Sequence, residues 1–141
     1  LAPNNGEVLN NVGAIARQKG MTEEAASLFA KAGSCVESSY NKGLVAITQG
    51  NYGAAISNMS GSSTANLALA KILNGDANGA KTTLMNANDE SAISSYLLAI
   101  CCARLDDAAG VKANLAAALI KDGTLKGKAD ADLEFSNFRG E

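Results

Sequence analysis

Covalent chemistry has few candidates in this chain of 141 residues. It contains no histidine, which removes Ser–His and Cys–His nucleophile pairs, the common zinc sites and the usual neutral-pH base. The three cysteines, Cys35, Cys101 and Cys102, are odd in number and match no metal-ligand spacing. Cys101 and Cys102 stand about 100° apart on a predicted helix, where a disulfide between them would break the helix, so they read as small buried hydrophobes. Cys35 falls between predicted hairpins and reads as a loop thiol without chemistry. The carboxylate pairs Glu23/Glu24, Asp89/Glu90 and Asp106/Asp107 each stand at a predicted helix start, where capping and the helix dipole account for them. Gly123-Thr124-Leu125-Lys126-Gly127-Lys128-Ala129 imitates a phosphate loop, but its glycine spacing is one short, Ala129 replaces the hydroxyl residue and no strand precedes it. Asp76-Ala77-Asn78-Gly79 opens like a calcium loop and lacks the later ligands, so it reads as a helix cap. The expectation is a non-enzyme with no catalytic residue, no metal and no cofactor.

Function must then lie in a surface, and composition bounds which kind. The net charge is −2, from 12 basic and 14 acidic residues with no basic run, so the stripe that nucleic-acid binding needs is missing. Hydrophobic residues make up 47% but aromatics only 4%. The core must therefore come from Ala, Leu, Ile and Val on closely approaching helices. The single proline is Pro3, which leaves every later helix unbroken. No apolar run approaches the roughly 18 residues that span a bilayer, so no membrane insertion of this segment is expected. Leu1 in place of Met, with Pro3 close behind, reads as a piece of a longer protein.

The elements that present the surface come from a block repeated four times. A small residue is followed seven positions on by Gly or Asp, then after five by Ala or Val, after four by an apolar residue and after three by a small one. In residues these are Gly13, Gly20, Ala25, Phe29, Ala32; Gly43, Gly50, Ala55, Met59, Ser62; Ala68, Gly75, Ala80, Leu84, Ala87; and Ala99, Asp106, Val111, Leu115, Ala118. Small residues let two helices approach closely, and the glycine between them supplies a turn with positive φ. In the first block Val8, Leu9, Val12, Ile15 and Ala16 keep helical spacing up to Gly20. Thr22 then offers an N-cap, and Ala25, Leu28, Phe29 and Ala32 form the next stripe. Asp76-Ala77-Asn78-Gly79-Ala80-Lys81 aligns with Asp107-Ala108-Ala109-Gly110-Val111-Lys112, so Asp is expected to cap both helices. Hairpins of paired helices are predicted over 6–19/22–33, 36–49/52–60, 63–74/77–87 and 91–104/107–121, and residues 124–138 as a short helix that covers the last apolar face.

Leu9, Val12, Gly13, Ala16, Gly20, Ala25, Phe29 and Ala32 resemble the signature of the tetratricopeptide repeat (TPR) family. The resemblance covers nearly the whole chain, as repeats over about 6–34, 35–61, 62–88 and 90–121 with a cap over 124–138. It implies a single all-α domain, a right-handed α-solenoid of about four helical hairpins with a C-terminal capping helix. The second block departs from the pattern at Ser39 and Lys42. Its following step, from Gly50 to Gly75, is 25 residues against a family period of roughly 34, so its second helix is expected to stop near Met59, at Ser60-Gly61-Ser62-Ser63. Asn66-Leu67-Ala68-Leu69-Ala70 and Ala131-Asp132-Leu133-Glu134-Phe135 resemble, more loosely, TPR segments of Bacteroidetes cell-envelope proteins. That likeness points to a periplasmic or outer-membrane-associated location rather than a cytoplasmic one.

In this family the first helix of each pair lines a concave face that holds protein or peptide partners. Carried over by position, the resemblance implies a groove of Asn10, Asn11, Arg17, Tyr40, Asn41, Leu44, Asn66, Leu69, Tyr96, Ile100 and Arg104. The carboxylate-clamp subgroup has Lys where this chain has Asn10, which argues against that ligand. Tyr40 and Tyr96 read either as anchors for a peptide or as packing between repeats. Asn11, Asn41 and Asn66 recur at one repeat position, which suits hydrogen bonding between helices. The expected function is a non-catalytic scaffold for protein or peptide binding; the alternative is a structural spacer or assembly arm of a multidomain cell-envelope protein. An exposed Tyr/Leu patch in the groove favours binding, and a groove filled by the protein's own termini favours the spacer.

Overall fold

Four tight turns punctuate the helices, and the same pair of backbone hydrogen bonds builds each of them. In a computed structural model of the chain, residues 13–32, 36–61 and 64–138 are described; they are helical, with no strand among them. The chain divides into two compact units, Leu1–Ser62 and Ser63–Glu141. The first unit holds α1, helical over residues 13–18 of the described part, then α2 (Thr22–Ala32), α3 (Val36–Thr48) and α4 (Tyr52–Met59). The second holds α5 (Ala65–Leu73), α6 (Ala77–Asn86), α7 (Ala92–Arg104), α8 (Ala108–Lys121), α9 (Leu125–Ala131) and a 3-10 helix at Leu133–Phe138. From α2 to α8 every boundary lies within two residues of the expected one, and α4 stops at Met59 as the short step required.

At the ends of α1, α3, α5 and α7 the residue that leaves the helix has positive φ: 78° at Gly20, 76° at Gly50, 86° at Gly75 and 58° at Asp106. Its N–H donates to the carbonyl three residues back, and the following N–H reaches five back, as in Met21 to Ala16, Asn51 to Ala46, Asp76 to Lys71 and Asp107 to Cys102. This pairing satisfies carbonyls that a helix end leaves bare. Asp106 does the same work with a Cβ, at a cost on the order of 1 kcal/mol. The residue after each turn opens the next helix. Asn51, Asp76 and Asp107 use their side chains to accept the N–H of Ala54, Gly79 and Gly110. The first hairpin has Met21 at that place, since Ala25 N–H donates to the Met21 carbonyl and Thr22 is the first helical residue. The expectation of Thr22 as N-cap is corrected accordingly: the turn at Gly20 leaves one residue before the helix, and it is Met21.

Packing follows the small-to-large rule of the repeat. A Cβ placed on Gly13 would stand 2.7 Å from the Phe29 ring, and one on Gly43 would stand 2.4 Å from Met59 Cγ and 3.2 Å from the Ala55 carbonyl. In the second unit Ala68 and Ala99 take the place of those glycines and are fully buried, in clusters with Leu84 and Leu115 respectively. Ala16, Ala25, Phe29 and Val45 form one buried cluster of the first unit, and Ala46, Ala55 and Met59 are buried there as well. In the second unit Ala68, Ile72, Ala80, Leu84, Leu97 and Cys101 form one cluster, and Tyr96, Ala99, Cys102, Val111, Ala118, Ala129 and Phe135 another. The C-terminal cap, expected as one helix over 124–138, is two pieces broken at Asp132, whose backbone turns extended (ψ 121°) while its carboxylate accepts the Glu134 N–H.

Two glycines of the second hairpin give opposite outcomes. Gly43→Ala forces a methyl against buried Met59 and costs about 1–3 kcal/mol. Gly53→Ala, in α4 with open space around its Cβ position, stabilises by about 0.4–1 kcal/mol. Urea unfolding checks both, and equal values for the two would contradict the packing.

Candidate functional site

In the second unit, α5 and α7 lie in contact and turn one set of side chains toward a common hollow. Asn66 and Leu69 are one turn apart on α5, as are Ile93, Tyr96 or Leu97, and Ile100 on α7, so each set occupies a single face. These side chains, with Ala65 behind them and Lys128 and Asp132 from the cap, line a cavity of about 310 Å³. Four of the expected groove residues, Asn66, Leu69, Tyr96 and Ile100, are thereby brought together. The wall is apolar, with an amide, an ammonium and a carboxylate at its rim, so it supplies burial and a few oriented hydrogen bonds. A larger, more open hollow of about 470 Å³ runs along α8 beside Phe138, where Lys112 is the one charged side chain. It offers little to orient a ligand.

Tyr96 is not the exposed anchor that the groove expectation made it. It is 3% exposed, with Phe135 edge-on to its ring at 5.5 Å and Lys128 Nζ 5.1 Å from its ring centre. Its hydroxyl donates to Asp132 Oδ2 at 2.6 Å. Burial of the hydroxyl, and then this bond to a carboxylate, push its ionisation well above the ordinary tyrosine range. Tyr96 is a wall of the hollow, closed over by the cap, and the packing alternative holds for it.

Arg104 is likewise engaged from within the unit. Its Nη2 and Nε donate to Glu134 Oε1 and Oε2 at 2.5 and 3.1 Å, and Nη1 donates to the Ile72 carbonyl at 2.5 Å in the last turn of α5. The fork onto Glu134 holds the guanidinium protonated even more firmly than usual. One side chain thus ties α7 to α5 and to the cap. At the other end of α7, Asp89 accepts from the Ser94 hydroxyl and the Ser91 N–H, which lowers its ionisation. Cys101 and Cys102 are 0% and 1% exposed. Burial pushes the Cys101 thiol up to about 11 and raises Cys102 also, so neither is a ready thiolate.

The remaining expected groove residues belong to the first unit. Tyr40, Asn41 and Leu44 are half-buried on α3, and Arg17 is half-buried on α1 with its Nε enclosed and without a hydrogen-bond partner among the described residues. Asn10, Asn11 and Cys35 lie outside the described residues. Sequence reasoning missed the cap residues Lys128 and Asp132, which line the hollow, and Glu134 and Phe135, which hold Arg104 and Tyr96. Their one signal was the acid–aromatic run at Asp132-Leu133-Glu134-Phe135, in a chain with only three Phe. Among the described residues no three His, Cys, Asp or Glu side chains gather to hold a metal ion, and no helix is long and apolar enough to cross a membrane.

Tyr96→Phe removes the bond to Asp132 and costs about 1–2 kcal/mol. A phenol whose ionisation is raised by folding stabilises fully below its ordinary value near 10, and that share is lost as the pH climbs past it. Buried Cys101, raised from 9.0 to about 11, loses its share in the same sense from a lower pH. Thermal melts from pH 7 to 11 therefore fall in the wild type, and Tyr96→Phe falls less steeply above about pH 10. Parallel curves for the two proteins would show that the hydroxyl carries none of the loss.

No model of a known protein family matches the chain, and no curated protein matches it either.

Proposed function

We propose that this chain is a non-catalytic scaffold of the TPR kind, whose hairpins stack as a right-handed solenoid and hold a protein segment against the face shared by their first helices. One observation carries the reading: Asn66 and Leu69 of one hairpin and Tyr96 and Ile100 of the next converge on a single apolar hollow of about 310 Å³. Successive hairpins presenting one face is what such a scaffold uses to bind an extended segment. The hollow is at the small end for a ligand site, which suits one or two side chains of a polypeptide rather than a cofactor.

A second reading, the structural spacer of a multidomain cell-envelope protein, is favoured by a different observation. The C-terminal cap is fastened onto α7 through Asp132 on Tyr96 and Glu134 on Arg104, with Asp132 at the edge of the hollow. On that reading the cap completes the unit and the face takes no partner.

A photo-crosslinking residue in place of half-buried Leu69 separates the two. Introduced into the chain in the cells that make it, it captures a discrete partner polypeptide on the binding reading, while the same residue at exposed Lys112 on α8 does not. Capture at neither position, or equally at both, contradicts binding through this face.

A further inference from the structure

The cap packs on α7 and α8 and reaches the edge of the α5/α7 hollow with Lys128 and Asp132, much as a ligand meets a receptor. Asp132 and Phe135 are three residues apart, so one 3-10 turn puts both on the same side. The first takes the Tyr96 hydroxyl and the second packs against its ring in a T-shaped pair. Glu134 takes the Arg104 fork. Leu133, in their midst, is 83% exposed. The segment thus sets two carboxylates on polar partners and seats Phe135, 2% exposed, among Tyr96, Val111 and Ala118, while Leu133 stays in water.

One of the segment's polar contacts is open to water. The Arg104–Glu134 pair is 33% and 29% exposed at its two side chains, where water screens an ion pair. The helices that carry the segment have seven and six residues, too short to stand without their contacts.

We propose that Asp132–Phe135 is a built-in occupant of this face, and that the face recognises an acidic–aromatic segment of the form Asp-x-Glu-Phe, which a partner protein supplies by displacing the chain's own copy. The inference rests on the binding reading above and adds the chemistry of the occupant. Tethered by Asp122-Gly123-Thr124, the internal copy acts at an effective concentration of about millimolar. It therefore masks the face against a free peptide and lowers the competent fraction.

The probe is a fluorescein-labelled peptide of residues 130–138, titrated by anisotropy into the 141-residue chain. Asp132→Ala together with Glu134→Ala loosens the internal copy. That variant is expected to bind the peptide at least about tenfold more tightly than the wild type. Binding is expected to weaken at least about tenfold for a peptide carrying Asn and Gln at the two acidic positions, and to lose its dependence on the Glu position when Arg104→Ala is added. No binding, or equal binding of both peptides, overturns the proposal. Should circular dichroism show the loosened variant unfolded, hydrogen exchange of the wild type decides: excess peptide accelerates exchange of amides 125–135, and unchanged rates overturn the proposal. Capture of a partner at Leu69 alongside a peptide that fails would keep the face as a site and discard this occupant. Failure of both would remove the site itself.

Discussion

A large apolar side chain seated against a residue with almost no side chain is the constraint on which this structure depends. With aromatics at 4% of the chain, bulk cannot fill the space between helices, so the helices must come close. Gly13 beneath Phe29 and Gly43 beneath Met59 are the tightest instances. Ala68 with Leu84 and Ala99 with Leu115 carry the same arrangement into the second unit. Close approach in turn demands short connections, and the recurrent turn at Gly20, Gly50, Gly75 and Asp106 supplies them while satisfying the carbonyls of the helix it ends.

The hollow of the second unit follows from that geometry. Because α5 and α7 are in contact, their equivalent faces point the same way, and Leu69 and Ile100 share a wall. Polar groups are then added from one direction. Arg104 reaches from α7 to the Ile72 carbonyl of α5 and to Glu134 of the cap, and Tyr96 reaches Asp132. The bonds to Tyr96 and to the Ile72 carbonyl satisfy groups that burial would otherwise penalise. Lys128 and Asp132 are the charged groups of the hollow's lining, and the rest of it is largely apolar.

The helices were legible in the sequence because their causes are local. A positive-φ turn needs Gly or a tolerant Asp, a cap needs Asn, Asp, Ser or Thr, and close packing needs a small residue at a fixed offset. Asp76 and Asp107, aligned in the sequence, stand at matching N-caps. Thr22 misled because a good capping residue sat one position beyond the place the turn left for it. The cap's role was not legible, and neither was the burial of Tyr96. Asp132 is 36 residues from Tyr96 and Glu134 is 30 from Arg104, and the tail repeats nothing, so no periodicity reports where it docks. Expected groove residues from α5 and α7 meet in one hollow because the repeat itself fixes their register; which of them stays accessible depended on the tail.

The central claim is that the C-terminal segment is joined to the α7 face through specific polar contacts rather than by apolar covering alone. A double-mutant cycle between Tyr96→Phe and Asp132→Ala, read by urea unfolding at neutral pH, tests it most directly. The account predicts a coupling of about 1 kcal/mol, since either change alone already removes the bond and the second adds little. Strictly additive losses would contradict it.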